Sequence, residues 1–203
     1  MLIISFIISF GLLVIAMTVH EFAHGWVADK LGDPTAKYSG RLTLNPLAHM
    51  DFLWTFLFPF FLYVSTGGRF IFGMAKPVPI NYWALRNPKR DIIWVGLSGP
   101  LTNLIFAFFL SIILREIALS SNLNSIFENL IVINVVLAVF NLVPIPPLDG
   151  SRVVIGFLPQ KIAYRYAMIE PYGFIILMFL VWTGLLGYLI WPIVEFILKW
   201  FSI

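Results

Sequence analysis

Met1 to Val19 is an unbroken run of nineteen residues without a charged side chain, and it leads directly into His20-Glu21-Phe22-Ala23-His24. As a helix, an uncharged run of that length is about what it takes to cross the roughly 30 Å hydrocarbon layer of a bilayer. A secretory leader has a basic start, a shorter apolar core and a small-residue cleavage site. This run has none of the three, so we expect a retained transmembrane helix. Cleavage behind it would remove the polar cluster it carries.

The rest of the chain has the same character. Of its 203 residues 60% are hydrophobic and 11% charged, where a soluble domain is roughly half apolar and about a quarter charged. Lipid is therefore the expected solvent, and the length leaves room for a single membrane-embedded domain over 1–203. There is no cysteine, which excludes disulfides and thiolate metal ligands. The net charge of +3 is modest and the aromatics are not interleaved with a basic patch, so no nucleic-acid partner is expected.

Four segments reach or approach spanning length: about Met1–Ala28, Asp91–Leu119, Leu130–Val143 (with a start as early as Leu123), and the region between Pro171 and Phe201. Gly184, Gly187 and Pro192 interrupt the last, which predicts either one broken helix or a span followed by an interfacial piece. Phe52–Ser65 is apolar but has only 14 residues, with Pro59 among them. If the cluster at 20–24 and a second motif near Asp149 share one site, both must lie near the same membrane face. The alternating directions of the first three spans allow this only if Phe52–Ser65 does not cross. A re-entrant or interfacial hairpin is predicted there.

Charge agrees with that arrangement. Residues 29–91 and 144–170 hold 11 of the 13 basic residues, with only Arg115 and Lys199 elsewhere. The positive-inside rule makes that side cytoplasmic. Thr35–Leu44 and Arg69–Ile80 mix polar and apolar residues with Gly and Pro, and they predict short strands and turns on the same side. The expected fold is thus mainly α and polytopic, with about four transmembrane helices, the hairpin and a small cytoplasmic-side β element.

His20-Glu21-Phe22-Ala23-His24 is an H-E-x-x-H pattern. Residues four apart share one helical face, so both imidazoles can reach one zinc ion. Glu21 can then reach a water on that ion and act as general base. Such patterns also occur by chance, or as histidines satisfied in a bundle, but ionisable groups at membrane depth are costly and functional by default. A catalytic zinc needs a third protein ligand, and His49, Asp51, Asp149 and Glu170 are candidates. Asp149 follows Asn141-Leu142-Val143-Pro144-Ile145-Pro146-Pro147-Leu148. Its prolines leave irregular backbone beside the membrane, which is tolerated where it lines a cavity. On its own this reading is matched by another, in which Asp149 caps a helix starting at Ser151. His49 and Asp51, after Asn45-Pro46, suit a turn or an interfacial hydrogen bond, and Asp33-Pro34-Thr35 initiates a turn. Pro100 reads as a proline near a helix start. Asn103 can bond a neighbouring helix or face the active site.

Three signatures in this order resemble the site-2 protease family of intramembrane zinc metalloproteases: HEFAH at 20–24, SGPLTN at 98–103 and NLVPIPPLDG at 141–150. GDPTAKYSGRLTLNPLAHMD (32–51) and FGMAKPVPIN (72–81) are similar to the short group of that family, which has no appended PDZ or CBS domain. The resemblance covers about residues 11–160, followed by a C-terminal helical segment over 171–203. It implies His20, His24 and Asp149 as ligands of one Zn2+ per chain, Glu21 as the base, and Asn141 as a substrate-backbone contact; Asn103, if it faces the active site, is a second candidate substrate contact on its own reading. It also implies an endopeptidase acting in or near transmembrane segments of single-pass membrane proteins or remnant signal peptides. The expected setting is a bacterial or archaeal cell membrane, with the active site near the cytoplasmic face. The alternatives are a catalytically silent zinc-binding protein that escorts membrane clients, which would have no need of Glu21, and a zinc transporter, which would spread its ligands along a pathway.

Overall fold

The computed structural model describes residues 2–67 and 73–203. Its first helix, α1 (Leu2–Lys30), is the apolar run extended through the HEFAH turn. In lipid such a run is helical because every interior amide is then satisfied within the segment. The eighteen residue-to-residue steps from Leu2 to His20 give a rise of about 27 Å, which puts the histidines near one end of a bilayer-length cylinder.

Past α1 the chain turns at Gly32, whose φ of 113° suits glycine. Asp33, fully buried, accepts from the Thr35 amide at 3.0 Å and the Asn81 amide at 2.6 Å. The captured Thr35 amide starts one helical turn, α2 (Thr35–Tyr38), where the sequence reading expected a strand. The second expected strand fails for a different reason. Arg69–Phe72 lie outside the described residues, and Gly73–Ile80 run without regular structure. Their amides go singly to different partners: Met74 N–H to Trp54 O, Lys76 N–H to His49 O, and Val78 N–H to Glu21 Oε2. Pro77 and Pro79 have no amide to donate, so no ladder can continue. Among the described residues there is no strand, and the expected β element is corrected accordingly.

Asp51 caps the next element, its Oδ1 accepting from Leu53 N–H and Trp54 N–H at 3.0 Å each. A π-helical stretch, Phe52–Leu57, runs into α3 (Phe58–Ser65). Pro59 is tolerated because it falls in the first turn of α3. The rings of Phe56, Phe60 and Tyr63 pack on Phe6 of α1 with centroids 5.3–6.4 Å apart. The segment therefore runs from the level of the middle of α1 toward its N-terminal end. The Met74–Trp54 and Lys76–His49 hydrogen bonds lay the following chain back alongside it.

α4 (Pro88–Glu116) and α5 (Ser121–Asn141) are the other two helices long and apolar enough to cross a membrane. Pro88, not Pro100, starts α4. Pro100 is buried inside the helix, so the sequence expectation is corrected: SGPLTN belongs to the middle of the span, facing α1. Leu12, Ala107, Leu110, Ile131, Val135 and Val139 form the core between α1, α4 and α5. α6 (Asp149–Phe157), α7 (Gln160–Ala167) and α8 (Glu170–Trp182) follow, with a 63° bend between the last two. α9 (Leu185–Trp200) begins after Gly184, whose φ is 75°. The expected fourth segment is thus broken there, and α7 with α8 makes a fourth span only if that bent pair is counted as one. Phe61, Trp182, Phe196 and Trp200 are each more than 60% exposed. With three bilayer-length helices, that apolar surface is that of a multi-pass membrane protein.

Candidate active site

His20 and His24 stand one turn apart on α1 and project the same way. Their Nε2 atoms are 3.1 Å apart, and Asp149 Oδ2 lies 2.9 Å from the first and 3.1 Å from the second. The imidazoles are buried and the carboxylate is half-buried. A tetrahedral zinc with arms of about 2.0–2.1 Å has ligand–ligand edges of about 3.3 Å, so the triangle has nearly the size that ion requires. The donor chemistry fits as well. His24 Nδ1–H donates to Val95 O at 2.7 Å, which leaves a lone pair on Nε2. A lone pair, a second imidazole nitrogen and a carboxylate meeting at one point call for a cation among them.

Two glycines make room for this meeting. Gly150 lets the first turn of α6 lie against the end of α5, where a Cβ would come within 2.2 Å of Leu142 O. That close approach aims Asp149 back at α1. A Cβ on Gly99 would fall 2.5 Å from His24 Nε2 and 2.6 Å from His20 Nε2. The space in front of the two nitrogens thus exists only because α4 has no side chain there.

Burial alone would push the Asp149 carboxyl up. The neighbouring His24 and His20, by charge and by hydrogen bonds to its oxygen, outweigh it and hold the group well below the usual carboxylate range. Glu21, one position round the helix, stands outside the triangle. Its Oε2 accepts from Val78 N–H at 2.8 Å, so the irregular 73–81 segment orients the carboxylate.

The comparisons can be set beside this geometry. Residues 110–181 match the model of peptidase family M50, a stretch that contains Asp149 but not the HEFAH turn. The chain is 38% identical to "Putative zinc metalloprotease YwhC" of Bacillus subtilis, over 94% of this chain and 89% of that protein. The chain belongs to peptidase family M50. It is also 30% identical to a protein of the same description, Rip2 of Mycolicibacterium smegmatis, over 85% of this chain and 65% of that one. "Zinc metalloprotease MJ0392" of Methanocaldococcus jannaschii is 25% identical over 77% of this chain and 36% of its own length. No solved structure matches. The resemblance to the site-2 proteases therefore holds, and the chain is a metalloendopeptidase of the M50 family.

In this M50 peptidase the remaining candidates separate clearly. His49 is buried and donates from Nε2 to Thr43 O at 2.8 Å, and Asp51 caps the stretch behind it. Glu170 pairs with Arg152 at 2.7 Å. None of these three joins the triangle. Asp149 is in the first turn of α6 and its carboxylate faces the imidazoles, so it does not cap a helix from Ser151. Asn141, the last residue of α5, donates to Leu137 O at 2.9 Å and lies outside the triangle. Asn103 is fully buried behind His20, its Oδ1 2.6 Å from His20 Nδ1. Sequence reasoning did not single out Val95 or Asn134. Asn134 had a signal, a carboxamide within the otherwise apolar run 130–140. The Val95 carbonyl had none, because any residue type supplies one.

Proposed function

We propose that this M50 member is a zinc-dependent intramembrane endopeptidase that hydrolyses peptide bonds in or near transmembrane segments of single-pass membrane proteins or of signal peptides left in the bilayer. One zinc per chain would be held by His20, His24 and Asp149. The observation that carries this reading is the meeting of those three ligand atoms about 3 Å from one another, in a chain whose relatives bear the words zinc metalloprotease. When bound, the ion supplies Lewis-acid polarisation of the scissile carbonyl and an acidified water. Glu21 would serve as the proton carrier, accepting a proton from the attacking water and returning it to the leaving amine nitrogen. The Val78 amide holds one carboxylate oxygen, leaving the other to face the substrate.

A substrate helix hides its carbonyls in its own hydrogen bonds, so it must unwind before attack. Asn141, at the end of α5 beside the proline-rich loop, can hold a peptide group so released. The 73–81 segment, beside Glu21, can line one side of the cleft that takes the extended chain. Basic residues concentrate in 29–91 and 144–170, the stretches flanking the site, which supports a cleft opening to the cytoplasm in a bacterial or archaeal cell membrane. In that membrane the 52–65 segment would be re-entrant, entering and returning on the cytoplasmic side.

The test is purified protein in proteoliposomes, with bound zinc measured alongside cleavage of a transmembrane peptide. Glu21→Gln should keep zinc and abolish cleavage. His20→Ala and Asp149→Ala should lose both. Zinc without cleavage in the wild type would leave only an escort protein, and zinc flux across the vesicles would point to a transporter.

A further inference from the structure

Asn103 on α4 and Asn134 on α5 are both fully buried. Two carboxamides in the middle of two spans are expensive unless every polar atom finds a partner. Here the partners determine the direction of each bond. Asn134 Nδ2 donates to Leu130 O at 2.8 Å. A carbonyl only accepts, so the Asn134 amide is oriented and its Oδ1 must face Asn103. That oxygen takes a hydrogen bond from Asn103 Nδ2 at 2.7 Å, and the same nitrogen donates to Ala16 O of α1 at 3.1 Å. Both hydrogens of Asn103 are then in use, and its Oδ1 is left toward His20 Nδ1 at 2.6 Å. An acceptor at that distance requires the proton on Nδ1. The lone pair of His20 is thereby placed on Nε2, the atom 2.9 Å from Asp149 Oδ2.

We infer that Asn134 and Asn103 are positioning residues: a hydrogen-bond relay from the Leu130 carbonyl that locks His20 in its Nδ1–H tautomer with Nε2 aimed at the cation. The inference rests on the zinc reading of the site. It gives a reason for both buried amides that helix association alone does not, since association needs no particular polarity at the His20 end. Val95 O performs the same service for His24 with a backbone carbonyl. Both imidazoles are thus oriented from α4, one by a backbone carbonyl and one by a side-chain chain running back to α5.

The experiment measures zinc affinity by competition with a chelator of known strength, on full-length protein in detergent, with circular dichroism and melting temperature as controls. Loss of an outer partner of a metal-bound histidine lowers affinity by about 10–100-fold. Asn103→Leu should fall in that range. Asn103→Asp, which keeps an acceptor for Nδ1–H, should recover most of the loss. Asn134→Leu touches neither His20 nor zinc, yet should weaken binding measurably through Asn103, by less than the about 10–100-fold of a direct outer partner. The double variant Asn103→Leu/Asn134→Leu should bind no worse than Asn103→Leu alone, because the relay is already cut. Additive losses, or a folded Asn134→Leu and Asn103→Asp whose affinities track melting temperature rather than the acceptor at 103, would overturn the relay. If Asn103→Leu does not fold, Asn134→Leu and Asn103→Asp decide it. If His20→Ala binds zinc as tightly as the wild type, the zinc reading itself fails. If His20→Ala loses zinc while folded Asn103→Leu does not, only the relay fails.

Discussion

Replacing Gly99 with alanine adds one methyl group to α4, at the point where it meets the imidazoles of His20 and His24 on α1. The new Cβ would sit 2.5–2.6 Å from His24 Nε2 and His20 Nε2, where ordinary contact begins at 3.4 Å. Relief requires the nitrogens or the helix to retreat by about 0.8–0.9 Å. The imidazoles cannot easily retreat, because their Nδ1 atoms are held at 2.6 Å by Asn103 and 2.7 Å by Val95. Zinc–nitrogen distances tolerate only about ±0.2 Å, so the ligand set and the methyl cannot both be accommodated. We expect zinc affinity to fall by at least about 100-fold, more than the loss of an outer partner causes, and peptidase activity to fall with it. The fold should survive, since alanine gains about 1 kcal/mol of helix propensity over glycine against an overpacking cost of about 1–3 kcal/mol. Chelator competition reads the affinity, and circular dichroism reads the helix. Gly11→Ala, on α1 with nothing within 4 Å of its added Cβ, is the control that should change nothing. A folded Gly99→Ala protein with wild-type zinc affinity would refute the claim that this space is the cation's.

Other expectations are simpler. Glu21→Gln should lower turnover by at least about 100-fold, as loss of a general base does, with bound zinc unchanged by elemental analysis. Asp33→Ala removes the acceptor for the Thr35 and Asn81 amides and should cost about 2–4 kcal/mol, seen as a lower melting temperature with zinc affinity intact. Gly150→Ala drives a carbon to 2.2 Å from Leu142 O and should displace Asp149, lowering thermal stability and zinc affinity together. Stripping zinc from the wild type with a chelator should lower its melting temperature, by an amount corresponding to about 4 kcal/mol if the ion had been present at 1,000 times its dissociation constant. The same treatment of His20→Ala should leave its melting temperature where it was.

Much of this architecture can be read from the order of residues because lipid imposes few choices. An uncharged run of nineteen residues is a helix, and H-E-x-x-H on a helix puts two imidazoles on one face. The partnership with Asp149 needed the ordered motif at 141–150 as well, since proline-rich backbone before an aspartate describes an ordinary capped loop equally well. The strands expected at 35–44 and at the described residues 73–80 of the second stretch misread local composition. Thr35 was captured by a buried Asp33, and the amides of Met74, Lys76 and Val78 found partners on three separate elements. Asp33-Pro34-Thr35 signals the turn but not the helical turn that follows it, and no local pattern announces where the three amides go. Pro100 misled for a related reason, because a proline inside a buried span looks like one that starts a helix. The support around the histidines comes from Val95 O, Asn103 and Asn134, and it depends on the rotation of α4 and α5 about their axes. The apolar periodicity of a membrane span does not encode that rotation, because lipid and core select the same side chains.

The central claim is that one cation sits among His20, His24 and Asp149. Anomalous diffraction collected on both sides of the zinc absorption edge from crystals of the wild-type protein addresses it directly. The expected result is one peak per chain, about 2.0–2.2 Å from His20 Nε2, His24 Nε2 and an Asp149 carboxylate oxygen, and no peak in crystals of Asp149→Ala. A zinc peak at His49 or elsewhere, with none at the triangle, would contradict it.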